Sequence, residues 1–470
     1  MTRVLIWNIQ QFSINKVFSA STQVNPGHGG LNDQQTAIER KAVILHVIVA
    51  TQPDIIVIVE TTSGENIAGD LATPTGGIEA LAQMQYFLNQ HTNAVGGWNA
   101  VPPLYIGTGG RAETIGIIYR RTDNAGAVSR YFTGPNIWTG GLAGTSVTPG
   151  NGVAAAYTGA VLPAGAVNVN SMLQPPGSGG VRMIPGGALH NAGVAETLVA
   201  ARVNFDDANG QPINFQGFRQ PYMATFTEAN TGNGAVQRNL TLFAVHTPPN
   251  NVSAANYITL MSTMPDIVGA LGANETRVVG GDFNINLLAA NGAPSGAYNP
   301  LTNAGYTLLL SPTTAGAPNN LDQYRGYFST HIRNKHNDGA SLFFWSNGFG
   351  SPSEYPAYGY VGSDFTNVPV YSIDNVLVAP FNGPLANYQV TIMNAVTGTP
   401  LTANAAPADN PPTGVIAMPP LWGAPPGGWP PSPTAPNYPG IGAAKNMTGW
   451  NNYGRIRSTS DHFGIFVNVV

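Results

Sequence analysis

The sequence contains no cysteine. That excludes disulfides, thiolate-bound zinc, iron–sulfur clusters and a thiol nucleophile, and it leaves the redox compartment open. Charge is scarce: Asp, Glu, Lys and Arg make up 9% of the 470 residues, against about 25% in an ordinary soluble domain. The net charge is −4. No overall basic field exists to hold a polyanion, so any contact with nucleic acid must come from a local patch. No apolar run reaches the roughly 18 residues that a membrane-crossing helix needs. The N-terminus, Met1-Thr2-Arg3-Val4-Leu5-Ile6, lacks the charged region, apolar region and cleavage site of a secretory signal. The expectation is a cytoplasmic protein, or one exported by a signal-independent route as a bacterial secreted effector would be. No repeat with a period of about 20–50 residues is visible.

What is abundant is turn chemistry. With 57 glycines and 38 prolines, about one residue in five favours loops, so a helical bundle is excluded for most of the chain. Hydrophobic residues still make up 43%, enough for a sizeable core. Val4 to Ile9 reads as a short buried strand. Asp33 is then an N-cap for a helix with Ile38, Ala42, Leu45 and Val49 on one face, ending before Pro53. Asp54 to Glu60 is a β-branched run, the pattern of a strand covered on both faces. Ile78, Leu81, Gln85 and Leu88 suggest a second helix. Strands are expected at 115–119, 197–205, 222–226, 239–246, 277–282 and 371–379, with another at the C-terminus, and a helix opens at about Val252. Periodicity fades over about 134–196, 290–368 and 395–449, which read as Gly- and Pro-rich insertions into one domain spanning 1–470. Helices alternating with strands, then hairpin-like strand runs, predict mixed sheets flanked by helices.

The polar residues worth attention stand where apolar strands end. Asn8 ends the first and Glu60 the second, and a carboxylate there must be solvated, paired or metal-bound. His246 ends Phe243-Ala-Val-His246. Gly280-Gly281-Asp282-Phe283-Asn284 follows a buried strand, and Asp282 and Asn284 share a side. The same segment opens like a calcium loop, but Leu287 and Ala293 hold the positions where Gly and Glu are required. Asp374 interrupts a strand pattern, and a buried carboxylate wants a partner such as an imidazole. Glu113, ahead of the Ile115 strand, could serve a second one. In Ser460-Asp461-His462 the adjacent Asp and His side chains diverge, so each must serve a separate partner.

The ordered set Trp7-Asn8, Glu60, Glu113 with Arg120, His246, Gly281-Asp282-Phe283-Asn284, Ile373-Asp374 and Ser460-Asp461-His462 resembles the endonuclease/exonuclease/phosphatase superfamily, the deoxyribonuclease I-like fold. It is most similar to the deoxyribonuclease I and cytolethal distending toxin branch, over roughly the core left when the insertions are removed. The resemblance implies a four-layered α/β sandwich of two packed mixed sheets. It implies magnesium or manganese on Glu60, Asn8 and Asp461, with calcium as an optional structural ion. It implies acid/base pairs His462–Asp374 and His246–Glu113, and Asp282 and Asn284 positioning phosphate and water. Arg219, in Arg219-Gln-Pro-Tyr222, together with Asn284 and Asn375, is then expected to contact substrate. The implied activity is a metal-dependent endonuclease acting on DNA, or on RNA. Two alternatives stand beside it: a sphingomyelin or phosphoinositide phosphohydrolase, and a delivered toxin or adhesive surface protein that meets partner or delivery proteins through its insertions.

Overall fold

The computed structural model describes residues 1–17, 33–61, 98–101, 109–120, 205–230, 236–287, 294–311, 373–394 and 459–470 without a break, with shorter stretches between them. Two sheets carry the fold. The first strand, β1 (Thr2–Phe12), is followed by a single helical turn, α1 (Ile14–Val17), and the helix α2 (Asp33–Thr51). Then come β2 (Ile55–Thr61), β3 (Trp98–Ala100) and β4 (Thr114–Arg120). β5 (Arg130–Phe132) and the two-residue β6 (Ile137–Trp138) precede the long hairpin of β7 (Tyr222–Asn230) and β8 (Val236–His246). The helix α3 (Asn251–Met261) leads to β9 (Glu275–Asp282). β10 (Thr307–Leu308), β11 (Asp374–Ala379), β12 (Thr391–Asn394) and β13 (Thr399–Pro400) follow. A separate two-stranded ribbon, β14 (Val415–Ala417) with β15 (Ala444–Asn446), comes before the last strand, β16 (Ile465–Val469).

Strand order in the first sheet is β13-β12-β16-β1-β2-β4-β3. In the second it is β10-β11-β9-β8-β7-β5, with β6 also on β7. Each sheet contains one parallel pair, β1 with β2 and β8 with β9, and parallel neighbours need a crossover. α2 and α3 lie in those two crossovers. The sheets face one another: β1 and β2 touch β8 and β9, and β11 touches β16. The inner faces are therefore taken, and each crossover helix covers an outer face. This is the expected α/β sandwich of two packed mixed sheets. The β-branched run of β2 is buried as its sequence predicts, from Ile55 through Val59.

Close approach of the sheets explains one glycine. A Cβ on Gly280 would lie 2.4 Å from Ile6 Cδ1 of the facing sheet. Its neighbour Gly281 sits at φ +149, where a Cβ would lie 2.1 Å from Val245 O of the adjoining strand. Of the helix face read from the sequence, Leu45 is buried, and the side chains of Ile38, Ala42 and Val49 lie outside those described. The buried positions of α2 include Ala37, Lys41, Ile44 and Ile48 as well as Val43, Leu45 and Val47.

The proposed insertion boundary at 290 is corrected. Residues 294–311 belong to the core: Tyr298, Leu301, Tyr306, Leu309 and Leu310 are buried, and β10 pairs with β11. β6, β13, β14 and β15 fall inside the other two stretches. The remainder of those stretches, most of 197–205, and the basic segment 331–336 lie outside the described residues.

Candidate active site

Strand register builds the site. His246 at the end of β8 pairs with Asp282 at the end of β9, and Asp282 pairs with Asp374 at the start of β11. Three candidate side chains thus stand at one level of the second sheet. On the first sheet, β1 and β2 bring Asn8 and Glu60 to the same end. Both strands break register there, between Asn8 and Phe12 and between Ile58 and Thr61. Gln10, Gln11 and Glu60 take positive φ, at +31, +53 and +60. Bulges of this kind re-aim a side chain at the cost of local strain. Here the Gln11 N–H donates to Glu60 Oε2 at 3.1 Å.

Two imidazoles face one carboxylate. His246 Nδ1 lies 2.8 and 3.0 Å from the two oxygens of Glu113, and its Nε2 lies 3.7 Å from Asp282 Oδ2 and 3.7 Å from Glu60 Oε1. His462 Nδ1 lies 2.8 Å from Asp374 Oδ2, and its Nε2 lies 3.7 Å from the same Asp282 Oδ2. Each ring therefore has a carboxylate fixing its tautomer on one nitrogen and offers the other to a shared centre. Both pairs come from segments far apart in sequence.

The charges follow from this crowding. Burial works against a charged His462, but Asp374 and Asp282 outweigh it and lift the ring to about 10. Burial also opposes charge on His246. Glu113 more than offsets this, while Arg219 pushes the other way, and the net shift is upward. Asp282 is pushed up to about 6, by burial first and by Asp374 second, with both histidines acting against the rise. Glu60 also loses solvation, yet His246 and the Asn8 amide hold its carboxyl below the ordinary value.

Several expected roles are revised. Asn8 presents its amide nitrogen to the acids, donating to Glu60 Oε1 at 3.0 Å and Asp282 Oδ2 at 2.9 Å, while its oxygen accepts the Gln10 N–H. It clamps the two carboxylates together and does not offer them a ligand oxygen. Asp461 stands on the other side, 3.8 Å from His462 Nε2. Among the described residues, the side chains close enough to share an ion are Glu60, His246 and Asp282, and, as a second group, Asp282, Asp374 and His462. Convergent carboxylate oxygens with no thiol suit a hard divalent cation. On donor chemistry Glu60 and Asp282 fit magnesium or manganese.

Asn375 is fully buried and bonds Leu310 on both sides, Nδ2 donating to Leu310 O and Oδ1 accepting from Leu310 N. It fastens the segment that follows β10 onto β11, with its side chain fully buried. Arg219 Nε lies 3.4 Å from Glu113 Oε1, and the guanidinium reaches the carbonyls of His246 and Thr247. Asn284, at φ +47, donates from Nδ2 to Thr247 O at 2.9 Å, and its N–H bonds Asp282 Oδ1.

Supporting residues escaped the sequence reading. Ser460 Oγ donates to Asn8 O at 2.6 Å and accepts the His462 N–H at 2.9 Å, so it ties the two sides of the site together. Trp7 Nε1 donates to His462 O. Thr330 Oγ1 accepts the N–H groups of Ile373 and Asp374. Lys16 Nζ donates to Ile9 O and Thr459 O, both at 2.9 Å. None carries a local motif. The positions of Ser460 beside Asp461 and His462, and of Trp7 beside Asn8, were the signals.

No family model matches the chain, and none of the curated proteins does. Similar solved structures include a Bacteroides thetaiotaomicron mannosyl-6-phosphatase, 11% identical, covering 100% of both chains at a TM-score of 0.35. Truncated Caenorhabditis elegans TDP2 is 9% identical over 99% of this chain and 96% of that one, at 0.36. An endonuclease/exonuclease/phosphatase family protein from Bacteroides thetaiotaomicron is 11% identical over 99% and 96%, also at 0.36. The architecture itself, two packed mixed sheets with the polar strand ends gathered on one side, is the one implied by the deoxyribonuclease I-like resemblance.

Proposed function

We propose that the chain is a divalent-metal-dependent phosphodiesterase that cleaves nucleic acid internally, DNA foremost and RNA second. One observation carries this reading: two carboxylate-backed imidazoles aim their Nε2 atoms at one buried carboxylate oxygen, each from 3.7 Å. Hydrolysis of a diester needs a proton removed from water on one side of phosphorus and a proton delivered to the departing alkoxide on the other. Two imidazoles across a shared centre can divide that work. His462, whose positive form Asp374 and Asp282 stabilise, is the better donor. His246 is raised as well, but Arg219 opposes its charge, and it is assigned the acceptor.

Asp282 stands between them with Asn284 fixed beside it, placed to orient the attacking water. Glu60 and Asp282 would hold the ion, which supplies charge neutralisation for phosphate and leaving oxygen. Arg219 keeps Glu113 in place behind His246. The amide of Asn8 bridges the two acids and fixes their separation.

The test is incubation with plasmid DNA, RNA, sphingomyelin and phosphoinositides, with magnesium and with chelator. Magnesium-dependent conversion of supercoiled plasmid to nicked and linear forms is the expected result. Turnover of the lipids with none of either nucleic acid would overturn the substrate assignment. Undiminished turnover in chelator would overturn the metal.

A further inference from the structure

We infer that Arg111, stacked on Phe218 at the rim of the site, binds a phosphate flanking the one being cut, so that the protein takes polymeric phosphodiesters. The inference rests on the phosphodiesterase reading and deepens it. Arg111 is exposed, yet it is not loose. Its guanidinium carbon lies 4.1 Å from the centre of the Phe218 ring, and Nη1 donates to Gln216 O at 2.9 Å. A guanidinium carries five N–H donors in a planar fork matched to phosphate oxygens. Stacking uses its face, and a single bond uses one donor.

The position is fixed to the catalytic centre. Arg111 is two residues before Glu113, and Phe218 is next to Arg219. Arg219 Nη1 reaches Arg111 O at 3.4 Å, Arg219 Nε reaches Glu113 Oε1 at 3.4 Å, and Glu113 holds His246 Nδ1 at 2.8 Å. The two segments are pressed together at Gly107, φ +79, where a Cβ would lie 2.8 Å from Arg111 O and 3.0 Å from Arg219 Cγ. The rim therefore cannot shift independently of the His246–Glu113 pair.

Charge completes the case. The chain holds only 19 lysines and arginines. Arg3, Arg120, Arg219, Arg238 and Arg277 each sit against a carboxylate. Among the described residues no carboxylate faces Arg111. In a protein without a basic field, a pre-oriented arginine beside the site supplies the local patch that a polyanion requires.

The experiment uses the full chain and the variants Arg111→Gln and Arg111→Lys. Binding of a fluorescent single-stranded DNA oligonucleotide is measured by anisotropy in chelator across a salt series. Hydrolysis of the oligonucleotide and of bis(4-nitrophenyl) phosphate is measured with magnesium. Thermal unfolding checks that the variants fold. Arg111→Gln should weaken oligonucleotide binding about tenfold and make the salt slope shallower by about 0.7. It should raise KM for the oligonucleotide while leaving kcat/KM for the small diester within about twofold. Arg111→Lys should restore the salt slope but only part of the affinity. An unchanged salt slope, or equal losses on both substrates, would overturn the inference. Failure of the wild type to hydrolyse any diester would instead overturn the phosphodiesterase reading, and the binding series would still decide the role of Arg111.

Discussion

Asp282 is the residue on which the site turns. Its Oδ2 receives the Asn8 amide and faces both imidazoles, so no other side chain touches as many parts of the proposed mechanism. Burial and Asp374 raise its pKa to about 6, and a bound cation would hold it ionised. Glu60→Gln should weaken magnesium binding, by about tenfold or more, with little change in thermal stability, because Glu60 is partly exposed at a strand end. Calorimetric titration with the metal checks this, and undiminished affinity would move the ion elsewhere. His246→Ala and His462→Ala should each lower kcat on the order of 10²–10⁴-fold. The double variant should lose far less than the product of the two, since groups acting as a unit are not additive. A His246→Ala enzyme with wild-type rates on every diester would refute the two-histidine mechanism.

At the scale of elements, register and bulges do the placing. β8, β9 and β11 align His246, Asp282 and Asp374 in one row, and the paired irregularities of β1 and β2 turn Glu60 toward that row. Gly281 makes the alignment possible, because β9 can approach Val245 only without a Cβ. Gly281→Ala should therefore cost more than the roughly 1–3 kcal/mol of backbone strain alone, and it should disturb the His246–Asp282–Asp374 row. Gly210→Ala is the control: φ is +71 there, but nothing lies within 4 Å of the added carbon, so the cost should stay near 1 kcal/mol. Urea unfolding of both variants measures the difference. Comparable losses would mean that the close approach at Gly281 relaxes freely.

For the whole molecule, the two ends of the sandwich have different electrostatics. Opposite the site, Arg238 and Glu228 of the second sheet join Thr2 and the Val469 carbonyl of the first. Arg238→Met leaves the Glu228 carboxylate buried without its guanidinium. It should lower stability by about 3–5 kcal/mol while kcat stays at the wild-type value. A stable variant would show that water reaches Glu228. At the site end, stability should depend on pH in chelator. His462 is raised from about 6.5 in the unfolded chain to about 10, and His246 is raised too. A raised group stabilises the fold fully below its unfolded pKa and ceases to do so as pH climbs through the folded value. The metal-free protein should therefore lose thermal stability steadily from about pH 6.5 toward 10. Asp374→Asn should flatten that decline, and a slope that Asp374→Asn leaves unchanged would place its origin outside the His462–Asp374 pair.

The sequence by itself determined the long strands β1, β2, β4, β7, β8, β9, β11 and β16, the two crossover helices and the polar residues at strand ends, because these depend on local periodicity and on the penalty for burying a lone carboxylate. The pairings of His246 with Glu113 and His462 with Asp374 came from the family resemblance, the residues alone requiring only that a buried acid find a partner. The tertiary structure alone decided that both rings converge on Asp282, that the Asn8 amide clamps two acids, that Asn375 serves the segment after β10, and that residues 294–311 join the core. It alone brought Arg111 onto Phe218 beside Glu113. Each of these depends on inter-strand register or on the approach of two sheets, and neither is encoded by spacing along one strand: register is set by packing between residues tens to hundreds of positions apart.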